Sequence, residues 1–441
     1  MAQSREYILK HAHENRVKFI RLWFTDILGF LKSFAITIDE LEDALNEGVR
    51  FDGSTLHGFN RSDEQEMIAM PDSSTFKVLP WRPQEDSVAR MFCDIYRVNM
   101  EPCEYDSRYI LKKNLKKAAD MGFTLYTGPE IEFFFFRNSQ KPETLDRGGY
   151  FDLTPLDVAA DYRRQTVLTL EAMGIDVISS HHEGSHSQHE IDLRHEDALT
   201  MADNIMSFKL ITKEIGQLNN IYASFMPKPL ARQNGSGMHL HQSLFREDEN
   251  IFFDGGKSDF ISDTGRHYIA GLLKHSLEFF AITNQWVNSY KRLVKGYESP
   301  THITWSRDSQ SALVRIPWCK NDKPESMRVE LRNPDPACNP YLTFAAMLGA
   351  GMAGIENRYE LPEPTDSDTA SLTNRELKKM GIRELPTQLN EALSHFKTSK
   401  LMKEVLGEPV FQKFIDNKEL ELDKFNSYIT DYEIREYLPL L

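Results

Sequence analysis

Gly128-Pro129-Glu130-Ile131-Glu132-Phe133 alternates strictly between carboxylates and apolar side chains. Successive side chains on a strand point to opposite faces, so Glu130 and Glu132 share one face while Ile131 and Phe133 share the other. Working outward, three more stretches read the same way. Met238-His239-Leu240-His241-Gln242-Ser243 sets two imidazoles on one face, and Arg328-Val329-Glu330-Leu331-Arg332 sets a carboxylate between two guanidiniums. Glu190-Ile191-Asp192-Leu193-Arg194 again alternates charge with apolar bulk. Upstream of it, Glu183 is joined to Glu190 by the small-residue loop 184–187, a spacing that predicts a hairpin bringing both carboxylates together.

A single strand of this kind is an ordinary solvated face of an antiparallel sheet. Four of them, with apolar reverse sides and few lysines, predict that the charged faces line a common site. Carboxylates gathered away from bulk water repel one another by several kcal/mol unless cations neutralise them. Five glutamates and a histidine match the needs of two hard divalent ions, Mg²⁺ or Mn²⁺ rather than zinc. Metals beside arginines point to phosphoryl transfer, where catalysis is largely positioning and charge neutralisation.

The rest of the chain sets bounds on that reading. Its 441 residues carry a formal charge of −14, which lacks the basic footprint of a nucleic-acid binder but leaves room for a nucleotide in a local arginine pocket. Four cysteines, none in a CxxC pair, fit a reducing compartment better than a disulfide scaffold. The start of the chain is polar and no apolar run reaches membrane-spanning length, so a cytoplasmic protein is expected, and the Asn-x-Ser matches at Asn60 and Asn234 carry no glycosylation meaning. Residues 15–100 read as a small mixed module, with strands at 17–23 and 31–37 and a helix over 38–46 that Asp39 would cap. The acidic stretch Asp63-Glu64-Gln65-Glu66 follows, and the polar segment 99–107 reads as a boundary. Beyond it helices alternate with strands to about residue 345, before a mostly helical tail.

Three motifs mislead. His182-Glu183-Gly184-Ser185-His186 matches the HExxH of zinc metalloproteases, but that signature needs a helix and this stretch follows a strand-like run over 175–180. Gly349-Ala350-Gly351-Met352-Ala353-Gly354 matches GxGxxG, yet it continues an apolar helix starting at Asn339-Pro340, where glycines serve packing. Gly255-Gly256-Lys257-Ser258 reads as a polar surface turn.

Taken in chain order, these motifs resemble the prokaryotic type I glutamine synthetase family. The matching stretches are Asp52-Gly53-Ser54-Thr55, Gly128–Phe134, His181-His182-Glu183, Gln188-His189-Glu190-Ile191-Asp192, Asn234–His239 with Gln242-Ser243, Asn288–Val294 with Gly296-Tyr297-Glu298, and Arg328–Arg332 through Leu342. The resemblance implies an α+β chain: a β-grasp domain over 15–100, then a catalytic domain over 105–441. The catalytic domain's antiparallel sheet would form a metal-holding funnel, and its C-terminal part would be helical. It implies Glu132, Glu183 and Glu190 around one ion, and Glu130, His239 and Glu330 around another. ATP would meet His241, Ser243, Arg315 and Arg328. Glutamate would meet Asn234, Gly235, Arg292, Glu298 and Arg332. Glu298, Asp52, Arg315 and Arg292 would be catalytic, with Asp52 reaching a neighbour's site to bind ammonium. The assembly implied is a dodecamer of two hexameric rings with shared active sites, and a nitrogen-regulatory protein is a candidate partner.

Some positions depart from the family pattern. Gln310 stands where an arginine is expected, with Arg307 nearby. Glu66 replaces an aspartate, Ala231-Arg232 replace a Phe-Gly pair, Gly184 and His186 replace small apolar residues, and Lys295 replaces a flap proline. The metal ligands are intact while the glutamate and ammonium surroundings differ. The expected activity is ligation of L-glutamate and ammonia through γ-glutamyl phosphate. The alternatives are a γ-glutamyl ligase for another amine, a weakly active regulatory paralogue and, remotely, the HExxH metalloprotease.

Overall fold

β1 (Val17–Thr25) and β2 (Leu31–Thr37) pair antiparallel around a turn that Asp26 builds, its carboxylate accepting the N–H groups of Leu28 and Phe30 at 3.0 and 2.9 Å. The computed structural model describes residues 5–59, 65–319, 323–367 and 369–441, so Asn60, Asp63 and Glu64 lie outside the described residues. β3 (Val49–Asp52), β4 (Glu66–Pro71), β5 (Lys77–Val78) and β6 (Ser87–Arg97) complete a sheet ordered β2-β1-β6-β4-β3, with β5 on β6 and the β1–β6 pair parallel. α1 (Arg5–Glu14) and α2 (Leu41–Glu47) bury Ile8, Ala12 and Leu41 against Ile20, Leu22 and Met67 of that sheet, giving the module a core of its own. The helix expected over 38–46 opens instead as a 3-10 turn, Ile38–Glu40, ahead of α2, and Asp39 caps neither. Asp39 lies inside the turn rather than before it, so its carboxylate is a first-turn charge.

Asp106 caps α3 (Ser107–Asp120), accepting from the Arg108 N–H at 2.9 Å. β7 (Thr124–Phe136) is the spine of a second, ten-stranded sheet. β8 (Val177–His182) and β9 (Gln188–Leu193) form the expected hairpin on one edge of β7, which also pairs with β10 (Glu196–Asp197) and β11 (Tyr222–Ser224). On its other edge lies β12 (Met238–Arg246), which pairs in turn with β13 (Glu249–Asn250). β14 (Trp305–Ser306), β15 (Val314–Arg315) and β16 (Val329–Leu331) extend the sheet, ordered β14-β15-β16-β12-β7-β9-β8 and antiparallel except between β14 and β15.

The apolar face of this sheet is covered by helices. α4 (Ala160–Ala172) and α5 (Ala198–Leu218) lie along it, and Phe133 meets Phe208 of α5 with ring centroids 6.0 Å apart. α6 (Asp263–Thr283) and α7 (Pro340–Glu356) pack at near backbone contact: a Cβ on Gly351 would stand 2.1 Å from the Tyr268 ring, and one on Gly354 2.0 Å from the His267 carbonyl. The GxGxxG stretch is thus a helix–helix seam, and Asn339 caps α7 as expected, its side chain accepting from Tyr341 and Leu342 N–H. Further helices run from Asn374 to Tyr437. The two modules are sewn together by buried amides, Asn339 donating to the Asp26 carbonyl at 3.1 Å and Gln285 to that of Leu28 at 2.8 Å. Among the described residues, no helix is long and apolar enough to cross a membrane.

Candidate active site

Strand register turns the alternating faces into rows. His181 of β8 opposes Glu190 of β9, which opposes Glu132 of β7. One step along, Asp192 opposes Glu130, which opposes His239 of β12. On the far side His241 opposes Glu330 of β16, and Glu330 opposes Arg315 of β15. Directly opposed side chains on one face lie within contact range, so the rows converge on a single concavity. It is a cavity of about 470 Å³ whose lining includes Glu130, Glu132, Glu183, Glu190, His239, Asn234, Gly235, Arg292, Glu298, Arg315 and Arg332. A larger cavity of about 770 Å³ lies elsewhere, between Leu28, Phe225, Trp286 and Phe425; its lining is mostly apolar, with one carboxylate, Glu421, and the lysines Lys209, Lys213 and Lys291, and so lacks the grouped carboxylates and imidazoles of the polar cavity.

Two clusters in or beside the polar cavity have donor atoms close enough to share an ion: Glu130, His239 and Glu330, and His181, Glu183 and Glu190. In the first, the His239 Nδ1 donates to Glu130 at 3.2 Å and the His241 Nε2 donates to it at 2.7 Å. Glu330 is fully buried and held by Arg315 Nε at 2.6 Å and by the Arg332 guanidinium. Burial alone would raise both carboxyls; the imidazole hydrogen bonds at Glu130 and the Arg332 charge at Glu330 outweigh it and hold both below the usual range.

Beside the second cluster compensation falls short: Arg292, the Gly237 N–H and Arg332 hold Glu132 down but do not outweigh burial and repulsion. Burial, then repulsion from Glu183, raises Glu132 to about 8. Burial, then repulsion from Glu132, Asp192 and Glu183, raises Glu190 to about 12. Carboxyls crowded together and buried in this way form a site whose charge a bound cation would balance. The donor set is oxygen-rich with one imidazole, which fits a hard divalent ion. Glu132 faces this cluster but one of its oxygens already accepts from Gln188 at 2.8 Å and from Gly237 N–H at 3.0 Å, whereas His181 stands 2.8 Å from Glu183.

Opposite the carboxylates, Arg292 is nearly fully buried and donates to the Asn333 carbonyl at 2.9 Å. Its approach explains Gly237, where a Cβ would come within 2.4 Å of the guanidinium. Glu298 is exposed at the rim with φ 52°, on backbone that non-glycine residues rarely adopt, and accepts from Asn234 at 3.3 Å. Five expected residues lie outside the lining. His241 and Glu330 back it through the contacts above. Ser243 donates to the Met327 carbonyl at 2.9 Å, and Arg328 donates to His241 at 3.3 Å. Asp52 is in the N-terminal module, accepting from Ser54 N–H at 2.9 Å and Ser54 Oγ at 2.8 Å, and does not line its own chain's cavity.

The alternation places Asp192 on a charged face, and it lines the cavity; the structure adds His181, Tyr150 and Tyr297, which the alternation does not single out. His181 and Asp192 sit at register positions next to named ligands and were findable by that rule; Tyr150 arrives on an irregular loop with no periodic signal. Gln310 lines the cavity, while the Arg307 guanidinium is turned to the Asp259 carbonyl and does not take its place. The HExxH reading is overturned: His182 ends a strand and its buried ring faces Asp146, while His186 faces the Gly148 carbonyl, so the two imidazoles share no site with Glu183.

Residues 104–437 match the family described as glutamine synthetase, catalytic domain, and residues 16–98 match the glutamine synthetase beta-Grasp domain. The chain belongs to the glutamine synthetase family. It is 48% identical over 446 residues to a glutamine synthetase of Mycolicibacterium smegmatis, covering 100% of both, and 47% identical over 442 residues to one of Methanosarcina mazei, covering 99% and 98%. Among solved structures it is similar to a Plasmodium falciparum glutamine synthetase at 25% identity and TM-score 0.88, covering 99% of each chain. It is also similar to a GmaS–ADP complex at 28% identity and TM-score 0.88, covering 100% of each. Full-length likeness to enzymes named glutamine synthetase does not favour the readings as a ligase for another amine or a regulatory paralogue.

Proposed function

We propose that this chain is a glutamate–ammonia ligase, which uses ATP and divalent metal ions to join L-glutamate to ammonia through γ-glutamyl phosphate. The observation that carries the reading is the meeting, in one cavity, of two carboxylate–imidazole clusters with Arg292, Arg315, Arg332 and Glu298. A carboxylate is a poor acylating agent, so it must first accept a phosphoryl group. Glu130, His239 and Glu330 would hold one ion and Glu132, Glu183 and Glu190 another, with His181 alongside; such ions neutralise charge that builds on the transferring phosphoryl oxygens. Mg²⁺ or Mn²⁺ suits this donor set.

Within the chain's own residues, Arg315 and Arg328 would steady the ATP phosphates, with His241 and Ser243 contributing to the nucleotide site. Asn234, Gly235, Arg292 and Arg332 would hold glutamate. Glu298, a solvent-facing carboxylate at the rim, is suited to take the proton that ammonium must lose before attack, and its loop is placed to exclude water from the acyl phosphate. Asp52 would serve a neighbouring subunit's site in a dodecamer of two hexameric rings; in support, it does not line its own cavity. A division at 15–100 and 105–441 and a cytoplasmic location complete the reading.

The test is an assay with glutamate, ATP and Mg²⁺ or Mn²⁺, in which ammonium is compared with methylamine, ethylamine and no amine. Glutamine formed in step with ADP release, fastest with ammonium, is the expected result. Faster product formation with an alkylamine, or ATP turnover without glutamine, would overturn it.

A further inference from the structure

Behind the His181–Glu183–Glu190 cluster lies a second layer of buried polar groups, Asp146, His182, Ser187 and His189, each under a tenth exposed. Asp146 and Ser187 fasten the loop carrying Tyr150 and Phe151 to the turn between β8 and β9. The Ser187 N–H donates to Asp146 Oδ1 at 2.8 Å, and the Ser187 hydroxyl accepts the N–H groups of Leu145 and Asp146 at 2.7 and 3.2 Å. His182 ties both to the metal cluster. Its Nε2 donates to Asp146 Oδ1 at 3.3 Å and its Nδ1 to the Glu183 carbonyl at 2.7 Å; both partners only accept, so the ring bridges them as a double donor. The Phe151 N–H donates to the His182 carbonyl at 3.1 Å. The result is that the Tyr150 and Phe151 rings, 3.9 Å apart, rest against His181 at 5.5 and 4.9 Å. Close packing leaves no slack, since a Cβ on Gly148 would stand 2.7 Å from His182 Nε2.

Asp146, His182 and His189 are also close enough together to suggest an ion of their own. The hydrogen bonds argue otherwise. Arg163 donates to His189 Nδ1 at 2.9 Å, so the neutral ring spends one nitrogen on Arg163 and keeps its proton on the other. His189 thus has no lone pair left for a metal, and His182, donating from both nitrogens, has none either.

We infer that Asp146 is a positioning residue: through Ser187 and His182 it fixes the turn that presents Glu183 and the aromatic pair against His181, and so sets how tightly the His181–Glu183–Glu190 cluster holds its divalent ion. This rests on the metal reading proposed above. Groups that orient metal ligands without touching the metal typically change its affinity by about 10–100-fold when removed. The experiment is a Mn²⁺ titration of the assembled, full-length protein, followed by electron paramagnetic resonance, comparing the native chain with Asp146→Asn and Ser187→Ala. Asp146→Asn should keep the native number of bound ions and weaken one class of site by about 10–100-fold, leaving the other class unmoved. Ser187→Ala should weaken the same class by less, and decides the matter alone if Asp146→Asn does not assemble. Unchanged affinities, or both classes weakened alike, would show a general structural role and overturn the inference. Loss of a whole equivalent in Asp146→Asn would mean that Asp146 binds an ion itself, and would also overturn it. A native chain with no tight Mn²⁺ would instead overturn the metal reading on which it rests.

Discussion

The two clusters that could hold an ion are built from nearly the same donors on adjoining rows of one sheet, yet the protein treats their charge in opposite ways. At Glu130–His239–Glu330, hydrogen bonds from two imidazoles and the guanidiniums of Arg315 and Arg332 stabilise the carboxylates, which are held below the usual range. At His181–Glu183–Glu190, with Glu132 alongside, repulsion is left standing and Glu132 and Glu190 are pushed up to about 8 and about 12. One half of the cavity therefore balances its charge with its own residues, and the other leaves charge that a cation would balance. Strand register explains the difference, because the row through β15 and β16 brings arginines to Glu330 whereas the row through β8 and β9 brings only a histidine to Glu190.

The largest expected effect comes from removing a ligand in the unfinished half. Glu183→Ala should lower glutamine formation by about a thousandfold or more and remove one bound ion, with the metal-free fold intact because repulsion is relieved rather than created. Glu132→Ala should behave alike. Metal counts by elemental analysis check this, and an unchanged count in both variants contradicts the assignment.

The compensated half should respond in the reverse sense. Glu330→Gln leaves buried Arg332 without its counter-charge, and breaking such a buried pair costs about 3–5 kcal/mol. Urea unfolding of the metal-free protein should show that loss, whereas Glu190→Gln should leave metal-free stability unchanged or raise it.

Gln310 is a smaller lever on the same contrast. A guanidinium there would add a charge-assisted donor worth roughly 1.5–3 kcal/mol, against about 1 for the neutral amide. Gln310→Arg should therefore raise the rate with ammonium by about tenfold, through kcat rather than KM if the contact strengthens in the transition state. Steady-state kinetics at saturating ATP and metal decide; an unchanged rate would mean that the cavity already has the charge it needs.

Much of this was legible in the alternation alone. Glu130, Glu132, His239, Glu330 and the Glu183–Glu190 hairpin follow from a period of two and a short loop, and both are local rules. What resisted was non-local. Which carboxylate faces which base depends on register across six strands, so the alternation does not assign His181 to the ion site although it lies beside Glu190, and it gives Asp192, on a charged face, no role. Tyr150 and Asp146 come from a loop whose path is set by Ser187 at φ 59° and Phe151 at φ 61°, conformations that no periodicity announces. The misplaced Asp39 cap shows the same limit at small scale, since a 3-10 turn moved the helix start by a few residues.

The smallest effect should appear in thermal stability. A carboxyl whose folded pKa is raised contributes stability that is present below its unfolded value, near 4.5, and lost as pH rises toward the folded value. With Glu132 at about 8, the metal-free protein should lose stability from pH 5 to pH 8, and added Mn²⁺ should protect it increasingly over that window. Melting curves at each pH, with and without Mn²⁺, measure the gap; a gap that stays constant or narrows with pH would count against the raised carboxyls.

The contrast between the two clusters is tested most directly by counting protons released as metal binds. Isothermal titration of the metal-free protein with Mn²⁺ at pH 7, repeated in buffers of different ionisation enthalpy, gives that number for each class of site. Filling the His181–Glu183–Glu190 class should release at least about one proton per ion, because Glu132 and Glu190 are protonated beforehand. Filling the Glu130–His239–Glu330 class should release close to none from its carboxylates, which are already ionised. Equal release from both classes, or none from either, would contradict the account.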